Sequence, residues 1–204
     1  MENFILFKIL NNVSNILPAT VVAAVILFVL KEILEEIRRR KQNARKRKAV
    51  RRLISDEIER NKFTIKVLRD CISYIEESIW DENSQILIRI GTLGQRYFRQ
   101  EGSGGYRREM PIRQVHNIAL SSNLFEVAKI DEEIFDRALD LSDTLKELDH
   151  VLQSMIEFVS NGESAAFLEG FVDYAKGVLD DCENKISSFY KLITKKELEN
   201  HRIR

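Results

Sequence analysis

Proline occurs only twice in 204 residues, at Pro18 and Pro111. With so few turn-formers, and with Leu, Ile, Glu, Lys and Arg abundant, long uninterrupted helices are favoured and sheets built from many tight turns are not. Cysteine is equally scarce. Cys71 and Cys182 stand far apart with no CxxC pair, which excludes a disulfide framework and a zinc finger or ribbon. Both fall on apolar faces of predicted helices and read as buried free thiols in a reducing compartment. The three histidines, His116, His150 and His201, lie in different segments, none with a neighbour at metal-ligand spacing. There is no Gly-rich phosphate loop, no HExxH and no GxSxG. Acid pairs such as Glu76-Glu77, Asp81-Glu82 and Asp180-Asp181 lack the ExxH spacing of helical di-metal sites and read as solvated faces. No enzyme, cofactor, metal or small-molecule substrate is indicated.

Net charge is also absent, but only in sum. Arg38 to Arg52 holds ten basic residues and no acid, while Asp131 to Asp149 holds eight acids against Arg137 and Lys146. The segregation carries more information than the total.

Ahead of the basic segment, no side chain from Ile9 to Leu30 is ionisable. As a helix this stretch would rise about 33 Å, close to the hydrocarbon thickness of a bilayer. Asn11, Asn12, Ser14 and Asn15 dilute its first half, and Ile16 to Leu30 alone rises only about 22 Å. Lys31 can snorkel, and Ile33, Leu34 and Ile37 extend the apolar surface. The stretch predicts an uncleaved single-pass transmembrane helix, with residues 1–37 as a membrane anchor. Ten basic residues behind the run against Lys8 in front place the N-terminus outside and the remainder in the cytoplasm, at a cell inner membrane. Ala19 and Ala23 put small residues at i and i+4, a surface for association of membrane helices.

Residues 38–49 then read as a basic juxtamembrane stalk. Its candidate lipid or partner contacts are Arg38, Arg39, Arg40, Lys41 and Arg45, continuing through Lys46, Arg47, Lys48, Arg51 and Arg52. The absence of interleaved aromatics and of a folded basic face argues against nucleic acid. Membrane lipids are the first partner to consider, but the segment climbs about 21 Å whereas a surface potential decays over about 8 Å. Arg45 to Arg52 are therefore expected to serve something other than lipid, either spacing or a protein contact, the chain's own acidic Asp131 to Asp149 segment being one candidate.

Residues 50–204 are expected to form a cytosolic helical bundle. Val50, Ile54, Ile58, Asn61, Ile65, Leu68, Ile72, Ile75 and Ile79 make a seam at spacings of three and four. Asn61 interrupts it, either to fix register or by turning to solvent. Ser84 to Gln100 reads as a shorter helix, with Gly91 and Gly94 permitting close approach, and Glu101 to Gly105 as a flexible loop. Pro111 is placed to open a helix carrying Ile112, Val115, Ala119 and Leu120, and Ser121 to Ile130 reads as a connection with one helical turn. Asp131 is a candidate N-cap for a seam from Ile134 to Val159, closed by Gly162. The last seam runs Phe167, Phe171, Tyr174, Val178, Cys182, Ile186, Phe189 and Ile193. The short connection at Gly162 makes the last two helices an antiparallel hairpin.

The expected fold is all-α: one N-terminal transmembrane helix continuing into a long cytosolic helix, packed with about four further helices as an antiparallel bundle. The expected function is a membrane-tethered, non-enzymatic interaction or scaffold module that self-associates or binds a cytosolic protein. The alternative is a membrane-disrupting effector such as a toxin or phage-defence component, suggested by Asn11, Asn12 and Asn15 ahead of Ala19 and Ala23.

Overall fold

Pro18 starts the first helix, α1 (Ala19–Ile79), its carbonyl accepting from the N–H groups of Val21 and Val22 at 2.8 and 3.3 Å. No Pro or Gly follows for sixty residues, so nothing in the backbone chemistry stops it. The computed structural model describes residues 18–81, 83–102, 105–129 and 132–199. The chain divides into two compact units, Met1–Lys48 and Ala49–Arg204.

In the first unit the described residues are the opening turns of α1, and they correct the transmembrane expectation. Among the described residues no helix is long and apolar enough to cross a membrane. The apolar run from Ala19 to Leu30 rises only about 18 Å, against a hydrocarbon core of about 30 Å. The turns that follow carry Lys31, Glu32, Glu35 and Glu36. The single-pass, N-terminus-out, inner-membrane placement is not supported, and the effector alternative presupposes such a span. The Ile9 to Leu17 half of the proposed span lies outside the described residues.

In the second unit the four helices and three strands of the described chain are completed by β1 (Gln85–Ile90), β2 (Arg96–Glu101), β3 (Arg107–Pro111), α2 (Ile118–Ala128), α3 (Glu132–Asn161) and α4 (Ala165–Thr194). The α1 seam is buried from Val50 through Ile75, and that of α3 from Ala138 through Val159. Between α3 and α4 the turn is built as the composition demands. Gly162 takes φ 68°, and the Glu163 N–H donates to the Phe158 carbonyl at 3.2 Å, closing the helix end. The α4 seam departs from expectation in its first half: Tyr174 is exposed, and Ala175 and Leu179 are buried instead. The methyl side chain of Ala175 lets α4 approach its neighbour where a phenol ring would hold it off.

Cys71 and Cys182 sit in this core. Burial, reinforced by Asp70 and Asp181 respectively, pushes each thiol up to about 12. The unfolded chain therefore loses these protons first. Their contribution is fully present below about pH 9 and is lost as pH rises toward about 12, at about 1.4 kcal/mol per pH unit for each thiol. At about pH 8 neither thiol of the native chain should react with a disulfide reagent, and both should react once the chain is unfolded in denaturant.

The main revision is a sheet where a helix was expected. Ser84 to Gln100 does not form a helix; it holds β1 and β2, and β3 completes an antiparallel sheet of order β1-β2-β3. Gly91 and Gly94 serve a hairpin, not a helix interface. The Gly94 N–H donates to the Gly91 carbonyl at 2.9 Å with Gly94 at φ 75°, and the second hairpin repeats this with Gly102 and Gly105, φ 76°. The segment read as a loop thus begins on the last residue of β2, with Gly102 and Gly105 on the connection to β3; Ser103 and Gly104 lie outside the described residues. Pro111 ends β3 opposite Tyr97, at a sheet edge where its missing N–H costs nothing. The helix expected at Pro111 begins instead at Ile118 and runs through the stretch read as a connection. Asp131 lies outside the described residues.

One face of the sheet packs inward through Phe98, with Ile86, Ile88 and Met110 beside it. Gln100 is fully buried there, donating to Ser78 Oγ at 3.0 Å and accepting from Arg108 at 3.3 Å. Arg108 also pairs with Glu77 at 2.7 Å and lies over the Tyr74 ring. These contacts seat the sheet on the end of α1. Across the bundle, Arg69 pairs with Asp180 and Glu183, and Tyr190 donates to Glu59 at 2.7 Å. These part-buried contacts set the register of α4 on α1.

Candidate functional site

Two features of the molecule are candidates for function, one in each unit. In the first, the apolar opening of α1 is uncovered. Val25, Ile26, Leu27, Phe28, Val29 and Leu30 are all exposed, as are Ile33, Leu34 and Ile37 beyond Lys31. Ala23, Ile26, Leu30, Ile33 and Ile37 follow one another at spacings of three, four, three and four, so they share one face of the helix. Ala23 is exposed on that face, and Ala19 is helical.

The basic segment follows directly, and all ten of its Lys and Arg residues are exposed. Glu36 is held below its ordinary carboxylate value by hydrogen bonds from Arg40 at 2.7 Å and Arg39 at 3.0 Å. In the second unit, Asp140 and Asp143 of the acidic stretch are paired with Lys185 and Lys146. Glu147 accepts from the Tyr174 hydroxyl.

The second candidate is a groove of about 660 Å³ in the second unit, between the tip of the β1–β2 hairpin, the segment after β3 and the C-terminal half of α3. Its walls carry Arg96, Arg113 and His116 together with the carboxamides of Gln95, Gln114 and Gln153. Leu152 and Ile156 of α3 form its apolar floor, and among the described residues no carboxylate lines it.

The wall formed by residues 112–116 is held from beneath by Asn61. That side chain is fully buried; it donates to the His116 carbonyl at 2.6 Å and accepts from the His116 N–H at 2.8 Å. It neither turns to solvent nor meets another seam, but substitutes for a strand partner. Thr64, one turn on, donates to the Gln114 carbonyl at 3.2 Å, and the Ile112 N–H donates to the Arg96 carbonyl at 2.9 Å. The start of α2 is fixed likewise: the Glu57 carboxylate accepts from the N–H groups of Ala119 and Leu120 at 2.5 and 3.1 Å. A carboxylate from α1 thus caps a helix about sixty residues later, where a negative charge is favoured.

None of the groove's polar residues stood out in the sequence. Their one local mark is position, since Gln95 and Arg96 follow the Gly91–Gly94 turn and Arg113 follows Pro111. Among the described residues no group of three or more His, Cys, Asp or Glu is placed to hold a metal ion. Comparison with protein-family models, with curated proteins and with solved structures finds no match to this chain.

Proposed function

We propose that the chain is a non-enzymatic helical interaction module that self-associates through residues 23–37 of α1. The observation that carries this reading is the exposed apolar stripe of Ala23, Ile26, Leu30, Ile33 and Ile37. A stripe at alternating spacings of three and four is self-complementary, because the same knobs and holes recur on a second copy. An uncovered apolar surface of this extent also marks an interaction face. Each large side chain is about half exposed, so covering it contributes about 1 kcal/mol. The pairing is therefore modest in strength and sensitive to a single charge.

The basic segment sets the salt dependence. Two copies side by side in parallel bring their Arg38 to Arg52 segments together, and this repulsion is relieved by screening. Sedimentation of the full chain should show a concentration-dependent dimer or higher assembly that tightens between about 0.05 and about 0.5 M salt. Ile33→Lys should leave only monomer without changing the melting temperature of the second unit. A wild-type chain that stays monomeric at all concentrations, or an assembly indifferent to Ile33→Lys, sinks the reading.

A further inference from the structure

We infer that the groove between the β1–β2 hairpin, residues 111–116 and α3 binds a nucleotide-sized organic phosphate with a planar, hydrogen-bonding body. The first argument is the distribution of unspent charge. Arg99, Arg107 and Arg108 on the same sheet each meet a glutamate, at 3.3, 2.8 and 2.7 Å. Arg96 and Arg113, which line the groove, meet no carboxylate among the described residues. The Arg113 guanidinium lies over the Phe63 ring at 5.8 Å, a face contact that takes up none of its N–H donors. With His116 on the same wall, the groove offers two fork-shaped cations and an imidazole, a set suited to a phosphate.

The second argument is the amide set. The Gln95 Oε1 is taken by the Tyr97 hydroxyl at 2.9 Å, so its NH2 group remains as a donor. The Gln153 NH2 group reaches the Asp149 carboxylate at 3.5 Å, one turn away, so its oxygen remains as an acceptor. One free amide donor and one free amide acceptor on opposite walls can meet a heterocycle that accepts on one edge and donates on another. Ile156, half-buried, supplies apolar surface on which such a ring lies. The volume, about 660 Å³, is that of an ordinary small-molecule site.

The third argument is rigidity. Asn61 and Thr64 pin the backbone of residues 114–116, and Ile112 is bonded to Arg96. The wall is therefore built before any ligand arrives, which lowers the cost of binding.

The test is calorimetric titration of the full chain with AMP, ATP, inorganic phosphate and a short single-stranded oligoadenylate. AMP and ATP should bind, with inorganic phosphate competing weakly. Arg96→Ala and Arg113→Ala should each weaken nucleotide binding at least about tenfold, the value of one lost charge-assisted contact. Gln153→Leu should weaken AMP but leave phosphate unchanged, separating recognition of the ring from recognition of the phosphate. Arg89→Ala, on the same sheet but outside the groove, should change nothing. Arg96 is exposed, so its removal leaves the fold intact and Arg96→Ala keeps the test valid if Arg113→Ala lowers stability. No binding at about 1 mM nucleotide, equal loss on Arg89→Ala, or oligonucleotide binding that survives Arg96→Ala each overturns the inference.

Discussion

Asn61→Ala is expected to destabilise the second unit by about 3 kcal/mol, which for a domain of this size lowers the melting temperature by about 6–12 °C. The expectation rests on what the alanine leaves behind. Asn61 is fully buried and satisfies both the N–H and the carbonyl of His116. Truncation removes both partners at once, and each backbone group stranded away from water costs about 1–3 kcal/mol. Urea unfolding should show a lower midpoint with an unchanged slope, since the same surface is exposed on unfolding.

Asn61→Asp adds a sign to the prediction. The ionised carboxylate keeps an acceptor for the His116 N–H but sets a negative charge against the His116 carbonyl. Once protonated it can donate there. Its folded-state affinity for the proton is raised, so the variant's stability relative to wild type should be highest at acid pH and fall as pH rises through the carboxylate range. A variant that loses stability in parallel with wild type at every pH would show that the carbonyl contact contributes nothing.

Glu57→Ala should cost about 2–4 kcal/mol, because it removes a carboxylate that is both hydrogen-bonded and favoured by the helix dipole of α2. Two N–H groups lose their acceptor, and that of Leu120 is buried. Glu57→Gln should recover about half, since one amide oxygen serves one donor while the NH2 group faces the other. Amide exchange locates the effect: Ala119 and Leu120 should exchange faster in both variants, and the amides of α3 should follow only as global stability falls. Unchanged exchange at Ala119 would remove Glu57 from its capping role.

Asn61 and Glu57 also show why parts of this fold were legible in the sequence and others were not. The seams of α1 beyond Val50 and of α3 could be read because helical periodicity is a local property, repeated many times in each element. The α4 seam slipped by one residue between Phe171 and Cys182. There the choice between Tyr174 and Ala175, or Val178 and Leu179, depends on how closely another helix approaches. The start of α2 was misplaced because its cap is Glu57, far away in sequence, while Asn117, which sits at the cap position, turns its side chain to Ser142. Capping rules look only at neighbours.

The sheet did leave a trace. Gly91-Thr92-Leu93-Gly94 and Gly102-Ser103-Gly104-Gly105 repeat one spacing eleven residues apart, flanking the six residues of β2. Each first glycine also has an aromatic ring over it: an added Cβ would lie 2.9 Å from the Tyr97 ring at Gly91 and would run into the Tyr106 ring at Gly102. Reading Gly91 and Gly94 as a helix-packing pair took their small size as the point, whereas the hairpin needs their backbone. The membrane expectation rested on counting un-ionised residues from Ile9, and Ile9 to Leu17 lie outside the described chain. The groove's chemistry was invisible for a different reason: Arg96, Arg113 and Gln153 come from three elements that meet only in the folded sheet and bundle.

The contacts that close α4 and the segment after it on α1 join residues a hundred or more positions apart: Tyr190 to Glu59, Lys176 to Glu76, Arg69 to Glu183, and Lys62 to the Leu198 carbonyl at 2.8 Å. On the ribosome, α1 is made before every element that packs on it, and the part of its Val50 to Ile75 face that meets α4 stays uncovered until the last of them has been made. That part of the isoleucine-rich ridge is thus exposed while the sheet, α2 and α3 are made, and completion of α4 is the event that covers it.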